Sequence, residues 1–180
     1  MVFIPWAAAI IWVGGTDTAG AQKVAELSAV QGNVRVFEAG SSRGKRGRDG
    51  MALFAQGRIL TIGSQSMADI VYIQGGAVRI MPNSEVVLLS TDFSTGNINA
   101  QLTLAAGKIF NVVTKLTEGS TYEVRTLTAT AGVKGTIFSA ETTGKRSVFM
   151  VKEGMVEVVG NQQPVLVADL KKTSVDAGQP

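Results

Sequence analysis

The stretch Thr128–Glu141, TATAGVKGTIFSAE, decides the fold, because small and β-branched residues lead into two glycines three positions apart. Glycines with the spacing of Gly132 and Gly135 occur in loops that clamp a nucleic-acid backbone, and Gly-Lys-Thr sequences occur in loops that cradle phosphates. Both kinds of loop adjoin helices, whereas the residues that flank this one favour strands. We therefore interpret the two glycines as a sharp bend or a close backbone contact inside a β fold.

The chain from Lys23 onward consists of short alternating runs, each closed by Gly, Asn or Asp. Val34 and Val36 are expected on one face of a strand, since residues two apart share a face. No stretch of ten residues has apolar positions at helical spacing. The sequence predicts an all-β fold of many short strands with glycine turns, either a β-sandwich or a β-solenoid-like arrangement. It also predicts a hairpin closed by Glu153-Gly154.

The composition excludes most catalytic chemistry. Of the 180 residues, 45% are apolar and 17% are charged, and there is no cysteine and no histidine. These absences remove disulfides, thiolate nucleophiles, Ser-His-Asp and Cys-His catalytic groups, and thiolate and imidazole metal ligands. The carboxylates are scattered, with no calcium loop and no acid/base pair. We expect no catalytic residues, no metal, no cofactor and no enzymatic activity.

The N-terminal sequence MVFIPWAAAIIWVGGTDTAGAQ resembles an export signal. Its apolar run is too short to span a bilayer, and Ala19-Gly20-Ala21 has the small-x-small spacing that signal peptidase accepts. No Lys or Arg precedes the run. We expect residues 1–21 to be a signal peptide and residues 22–180 a single β domain without a transmembrane anchor, located in the periplasm or secreted.

A basic segment, residues 39–50 (AGSSRGKRGRDG), carries Arg43, Lys45, Arg46 and Arg48. Such a cluster attracts polyanions or anionic lipid head groups, but it also occurs in solvated flexible loops, and we expect this segment to be the least structured part of the domain. It contains no aromatic side chain on which a base could stack, so no nucleic acid is expected as a partner.

The chain resembles the FecR domain, a periplasmic or extracytoplasmic all-β module best known from regulators of iron-uptake signalling. The resemblance is carried by TYEVRTLTATAGVKGTIFSAE, by SVFMVKEGMVEVV and by the upstream MPNSEVVLL. The family motif falls on Gly132, Lys134, Gly135, Thr136, Glu153 and Gly154. The resemblance implies an extracytoplasmic β domain in which Lys134 pairs with a carboxylate such as Glu153 or contacts a partner.

These observations lead to one functional expectation and two alternatives. The first is a non-catalytic, exported, protein-binding or signalling module whose partner is another protein or a component of the cell envelope. The second is a structural β protein that assembles into an oligomer or fibre through exposed strand edges. The third is a binder of polyanions or carbohydrate that uses the basic segment.

Overall fold

The structure, a computed structural model, describes residues 23–73, 76–92, 99–114, 119–160 and 163–178. The described residues form strands and turns without a helix, which confirms the all-β prediction. The strands are β1 (Lys23–Phe37), β2 (Lys45–Arg46), β3 (Ala52–Phe54), β4 (Arg58–Tyr72), β5 (Ala77–Ile80), β6 (Ser84–Asp92), β7 (Asn99–Val112), β8 (Thr121–Arg125), β9 (Thr130–Val133), β10 (Ile137–Thr142), β11 (Arg146–Glu153), β12 (Val156–Gly160), β13 (Gln163–Val167) and β14 (Lys172–Asp176). The segment predicted as a signal peptide lies outside the described residues.

The strand pairings divide the sheet into two layers. The first layer has the order β13-β12-β9-β8-β7-β6-β4-β1-β2, and the second has the order β14-β11-β10-β7-β5-β4-β1-β3. The long strands β1, β4 and β7 belong to both layers, because one half of each pairs in the first layer and the other half in the second. All neighbours are antiparallel except β7 and β8. The result is a β-sandwich, one of the two predicted arrangements.

The chain crosses between the layers at residues with positive φ. The three long strands cross at Gly32 (φ 68°), Gly63 (φ 92°) and Gly107 (φ 86°). The connections β9–β10 and β11–β12 cross at Gly135 (φ 67°) and Gly154 (φ 91°). Glycine adopts this conformation without the steric strain of a Cβ atom, so these glycines make the sharp corners that the two layers require.

Serine side chains from neighbouring strands form hydrogen bonds with the backbone at two of these corners. The Ser84 hydroxyl accepts a hydrogen bond from the Lys108 N–H at 2.9 Å, directly after the Gly107 corner. The same arrangement recurs between Ser66 and Asn33, directly after the Gly32 corner, at 2.8 Å. Both serines are buried, so each hydroxyl finds its hydrogen-bond partner within the protein.

The core lies between the layers and is built by alternation along each strand. Val34 and Val36 are buried as predicted, and so are Val156 and Val158 on either side of the exposed Glu157. The largest fully buried side chains include Phe138 and Phe149 of the second layer and Leu102 and Leu104 of the first. Since both layers contribute large apolar side chains to one cluster, burial of that cluster is the main stabilising contribution to the fold.

Two tyrosines form a polar contact inside this core. The rings of Tyr72 and Tyr122 meet edge to face with centroids 6.2 Å apart, and the Tyr122 hydroxyl donates to Asn111 Oδ1 at 2.9 Å. Burial raises the pKa of Tyr72 well above its usual value, and the hydrogen bond with Tyr122 lowers it only in part. Burial is also the main cause that raises the pKa of Tyr122. Both phenols are therefore held in the neutral form in the folded chain.

The predicted hairpin at Glu153-Gly154 is wrong. β11 pairs with β10 and β14 in the second layer, whereas β12 pairs with β9 and β13 in the first. Gly154 is a corner that carries the chain from one layer to the other. A glycine between two alternating runs marks a change of direction in both cases, and only the long-range pairing decides which one occurs.

Candidate functional site

The residues of the family motif form two adjacent corners of the sandwich. Gly135 and Thr136 connect β9 to β10, and Gly154 connects β11 to β12 beside them. A Cβ atom on Gly154 would stand 2.6 Å from Thr136 Cγ2 and 2.9 Å from the Gly135 carbonyl oxygen, closer than real Cβ atoms come to such atoms. The interpretation of the opening glycines as a bend is therefore correct for Gly135, and the close backbone contact involves Gly154.

The other three motif positions, Gly132, Lys134 and Glu153, have different surroundings. Gly132 has no positive φ, and a Cβ atom there would meet only the Glu157 carbonyl oxygen at an ordinary 3.9 Å. Lys134 is exposed and forms no ion pair within the described residues, so the predicted pair with Glu153 is not formed. Contact with a partner stays a prediction for Lys134. The structure thus assigns a backbone role to part of the motif and leaves its cation free at the surface.

The basic segment is ordered, which corrects the expectation of a flexible loop. β2 pairs with β1, and beyond it the Gly47 N–H donates to the Val34 carbonyl at 2.9 Å. Farther along, the Gly50 N–H donates to the Leu27 carbonyl at 2.8 Å. The segment therefore follows the outer edge of β1 from the first layer to the second, and it covers backbone groups that an open edge would expose.

The four predicted contact residues share this edge but not the same surroundings. Arg43, Lys45, Arg46 and Arg48 are all exposed. The Lys45 ammonium pairs with the Glu38 carboxylate, so its charge is partly balanced. Arg46 lies directly opposite Arg35 of β1 in the antiparallel register. Arg35 lies outside the basic segment, eleven positions before Arg46, and the pairing of β2 with β1 brings the two residues together.

A second exposed surface lies on the outward side of the second layer. We call it the apolar outer face and define it by Val71, Phe110, Val112 and Met150, whose exposed fractions are 42%, 42%, 48% and 50%. The strand register places Phe110 between Arg79 and Ser139, and Met150 on the far side of Ser139. Ser139 points outward yet is buried, as expected if its neighbours cover it. The face is therefore continuous across β7, β10 and β11.

An ion pair lies within this face. The Arg79 guanidinium donates two hydrogen bonds to the Asp69 carboxylate, each 2.8 Å long. Two interactions with Asp69 raise the pKa of Arg79: the hydrogen bonds are the larger cause, and the negative charge of the carboxylate is the smaller one. An open groove runs beside the pair, lined by Met67, Asp69, Ala77, Arg79, Met81, Phe110 and Val112. The groove thus combines flexible apolar side chains with a bidentate Arg–Asp ion pair.

The apolar outer face was not identified from the sequence, although a signal was present. Ile70 to Ile73 and Ile109 to Val113 contain consecutive apolar residues where a strand exposed to water would alternate. Such runs indicate apolar residues on both faces of a strand. Which face remains uncovered depends on the packing of the two layers.

Comparison with known families agrees with this architecture. A family model described as FecR protein matches residues 58–157, which is more than half of the chain. The chain belongs to the FecR family. The match begins at the first residue of β4 and ends within β12, so it includes both motif corners and all four residues that define the apolar outer face of this FecR-family chain.

Solved structures support the fold of this FecR-family chain. Two crystal structures of a "putative anti-sigma factor" from Parabacteroides distasonis ATCC 8503 superpose with TM-scores of 0.57 and 0.56, each at 19% sequence identity. In both cases 67% of this chain is covered, and the chain spans 55% of the neighbour's length. A comparison with curated proteins finds no match. At this level of identity the likeness concerns the fold.

No helix that could cross a membrane occurs in the part of the chain that the structure describes. In the same ranges, no group of three or more Asp and Glu side chains is placed to hold a metal ion.

Proposed function

We propose that this FecR-family chain is a non-catalytic regulatory module of signalling that works by binding another protein through its apolar outer face. The observation that carries the proposal is the continuous exposure of Val71, Phe110, Val112 and Met150 on a rigid sheet. Contiguous exposed apolar surface is uncommon on soluble monomers and marks interaction sites. Family membership supports a regulatory role, since the similar solved structures are named as anti-sigma factors.

The composition of the face favours a protein partner over a small molecule. Phe and Met are enriched at the centres of protein interfaces, and an Arg beside them supplies directional hydrogen bonds. Here Arg79 is held in place by Asp69, so it is oriented before a partner arrives. The groove is wide and open, as an extended peptide or a loop of a partner requires, and it does not enclose a ligand on all sides.

We propose in addition that the chain acts outside the cytoplasmic membrane after removal of residues 1–21. The support is the apolar N-terminal run with the Ala19-Gly20-Ala21 sequence. Expression of the whole chain in a bacterium, followed by N-terminal sequencing of the product from the periplasm and medium, tests this step. A product that begins at Gln22 is expected; unprocessed protein confined to the cytoplasm would contradict it.

Photo-crosslinking tests whether the apolar outer face is the binding surface. A photoreactive residue is placed at position 112 of the apolar outer face, and the matched control carries it at Leu166, which is 66% exposed on the edge strand β13. We expect a cross-linked protein from an envelope extract at position 112, lost in a Phe110→Asp background. Cross-linking of the same protein at position 166 alone would contradict the proposed face.

The same experiment separates protein binding from self-assembly. A cross-linked product of twice the chain's mass, formed at position 112 by the purified chain alone, would indicate that a second copy covers the face. Light scattering after size-exclusion chromatography, at concentrations that differ by about a hundredfold, checks this directly. The proposal of a different protein as partner requires that the purified chain stays monomeric over this range.

A further inference from the structure

Two arginines lie side by side at the edge of the first layer. Arg35 and Arg46 lie directly opposite each other across β1 and β2, and both are exposed. Neither forms an ion pair with any residue in the described ranges. Like charges directly opposite each other in a sheet repel and destabilise the pairing. A bound anion between the two guanidinium groups would convert this repulsion into attraction.

The backbone under these arginines is fixed from both sides. On one side, Arg43 is preceded by a turn in which the Ser41 hydroxyl accepts a hydrogen bond from the Arg43 N–H at 3.1 Å. On the other side, the Asp49 carboxylate accepts a hydrogen bond from the Val30 N–H at 2.8 Å. The buried Gly47 packs between them against Leu27 and Val34. A site on this segment therefore loses little backbone entropy when a ligand binds.

Acidic groups nearby do not neutralise the cluster. Glu38 is already paired with Lys45, and the Asp49 carboxylate accepts a hydrogen bond from the backbone. That one carboxylate lies beside four guanidinium groups, those of Arg43, Arg46 and Arg48 on the segment and of Arg35 on β1, so the cluster keeps an excess of positive charge. An open recess lies at this position, lined by Lys45, Arg46, Arg48, Asp49, Gly50 and Met51. The recess gives a ligand access to two of the arginines and to the segment's backbone.

We propose that Arg35 and Arg46, flanked by Arg43 and Arg48, bind phosphate or sulfate ester groups of a linear acidic polysaccharide. The planar guanidinium group donates two parallel hydrogen bonds to such an oxyanion, and a lysine ammonium cannot. Several arginines along one edge match a ligand that repeats its negative charge. This site lies apart from the apolar outer face, so it does not depend on the function proposed above.

The residues of the basic segment favour a polysaccharide over other polyanions. Residues 39–50 contain no apolar side chain larger than alanine, so the segment has nothing to insert into a bilayer. They also contain no aromatic residue on which a nucleic-acid base could stack. Charged residues on an edge strand also prevent sheets from pairing edge to edge, so the self-association of each variant is measured together with its affinity.

The test uses oligosaccharides of heparin, which is a sulfated linear polysaccharide. The affinity of the purified chain for these oligosaccharides is measured at two salt concentrations. The Arg35→Ser/Arg46→Ser variant is compared with Lys171→Ser/Lys172→Ser, which removes two exposed charges at the edge occupied by β14. We expect the arginine variant to bind about tenfold more weakly and to depend less on salt, and the lysine variant to change affinity less than about twofold. Arg35→Lys/Arg46→Lys, which keeps the charge, should bind with intermediate affinity.

Four outcomes would overturn the proposal. Equal weakening in the arginine and lysine variants would show that net charge alone attracts heparin. Tighter binding to vesicles of anionic phospholipid than to heparin would favour a membrane, and tighter binding to single-stranded DNA would favour nucleic acid. Undiminished heparin binding by an Arg35→Ser/Arg46→Ser variant that self-associates would assign the arginines to edge protection. Thermal unfolding of each variant establishes that all are folded.

Discussion

Gly154 lies directly against Thr136, with no room for a side chain between the two corners. The position of a Cβ atom on Gly154 is 2.6 Å from Thr136 Cγ2 and 2.9 Å from the Gly135 carbonyl. Gly154 also has φ of 91° and donates its N–H to the Asp169 carboxylate. The two separate halves of the family motif therefore meet at one point, and the contact between them fixes how the layers connect.

Replacement of Gly154 by alanine should reduce the free energy of unfolding by about 3 kcal/mol, because the new methyl group would collide with Thr136 Cγ2 and the Gly135 carbonyl oxygen in a backbone conformation that alanine already disfavours. Gly144→Ala is the matched control. Gly144 has a similar φ of 84°, but nothing lies within 4 Å of its Cβ position, so only about 1 kcal/mol is expected. Urea unfolding curves measure both values. Equal losses in the two variants would show that strain alone matters.

The two glycines of the opening stretch should respond differently to alanine. Gly135→Ala, at φ of 67°, should lose about 1 to 2 kcal/mol of stability. Gly132→Ala should change stability by less than about 0.5 kcal/mol, because Gly132 lies in strand β9 without positive φ and its Cβ would meet only the Glu157 carbonyl oxygen, at an ordinary 3.9 Å. Thermal and urea unfolding of both variants provide the measurement. A larger loss for Gly132→Ala than for Gly135→Ala would contradict the assignment of the bend to Gly135.

The hydroxyl of Thr136 should be dispensable. Thr136 is 2% exposed, and its Oγ1 has no hydrogen-bond partner within the described residues, while its methyl group packs against Gly154. Thr136→Val keeps the methyl contact and removes an unpaired buried polar atom, so stability should stay equal or rise by about 1 kcal/mol. Thr136→Ser, which removes the methyl group and keeps the hydroxyl, should be less stable than the wild type. The reverse order would indicate that the hydroxyl has a partner.

The free energy of unfolding should decrease in alkali because of the two buried tyrosines. Burial raises the pKa values of Tyr72 and Tyr122 in the folded chain, whereas in the unfolded chain they ionise near pH 10. The contribution of the neutral, buried tyrosines to the free energy of unfolding is therefore fully present below about pH 10. As pH rises further, this contribution is lost at about 1.4 kcal/mol per pH unit for each tyrosine.

Urea unfolding between pH 8 and pH 11.5 measures this loss. The chain has only these two tyrosines, so tyrosinate absorbance reports their ionisation directly. Tyr72→Phe/Tyr122→Phe should lower the stability at neutral pH and flatten its dependence on pH above 10. Ionisation of both phenols near pH 10 without unfolding would contradict the burial of the pair.

The alternation of apolar and polar residues was sufficient to predict an all-β chain and the inward faces of several strands. Val34, Val36, Val156 and Val158 are buried as that alternation requires. This part of the fold depends on local periodicity, since residues two apart share a face in any sheet. The glycine at position 135 was likewise correctly interpreted as a bend, because positive φ is a property of one residue and its immediate neighbours.

The candidate sites depended on distant pairing and could be predicted only in part. The clustering of cations in the sequence was sufficient to predict the basic segment. The ordered conformation of this segment and the position of Arg35 beside Arg46 follow from the pairing of β2 with β1. The apolar outer face needed five strands, β4, β5, β7, β10 and β11, to come into register.

The sequence by itself thus determined the class of fold, the positions of the bends and the absence of cysteine and histidine chemistry. The tertiary structure alone decided that Gly154 joins two layers and does not close a hairpin, and that Phe110 and Val112 remain uncovered. The physical reason is that a strand's periodicity specifies two faces, whereas contacts between residues far apart in the chain specify which layer it joins and which face meets water.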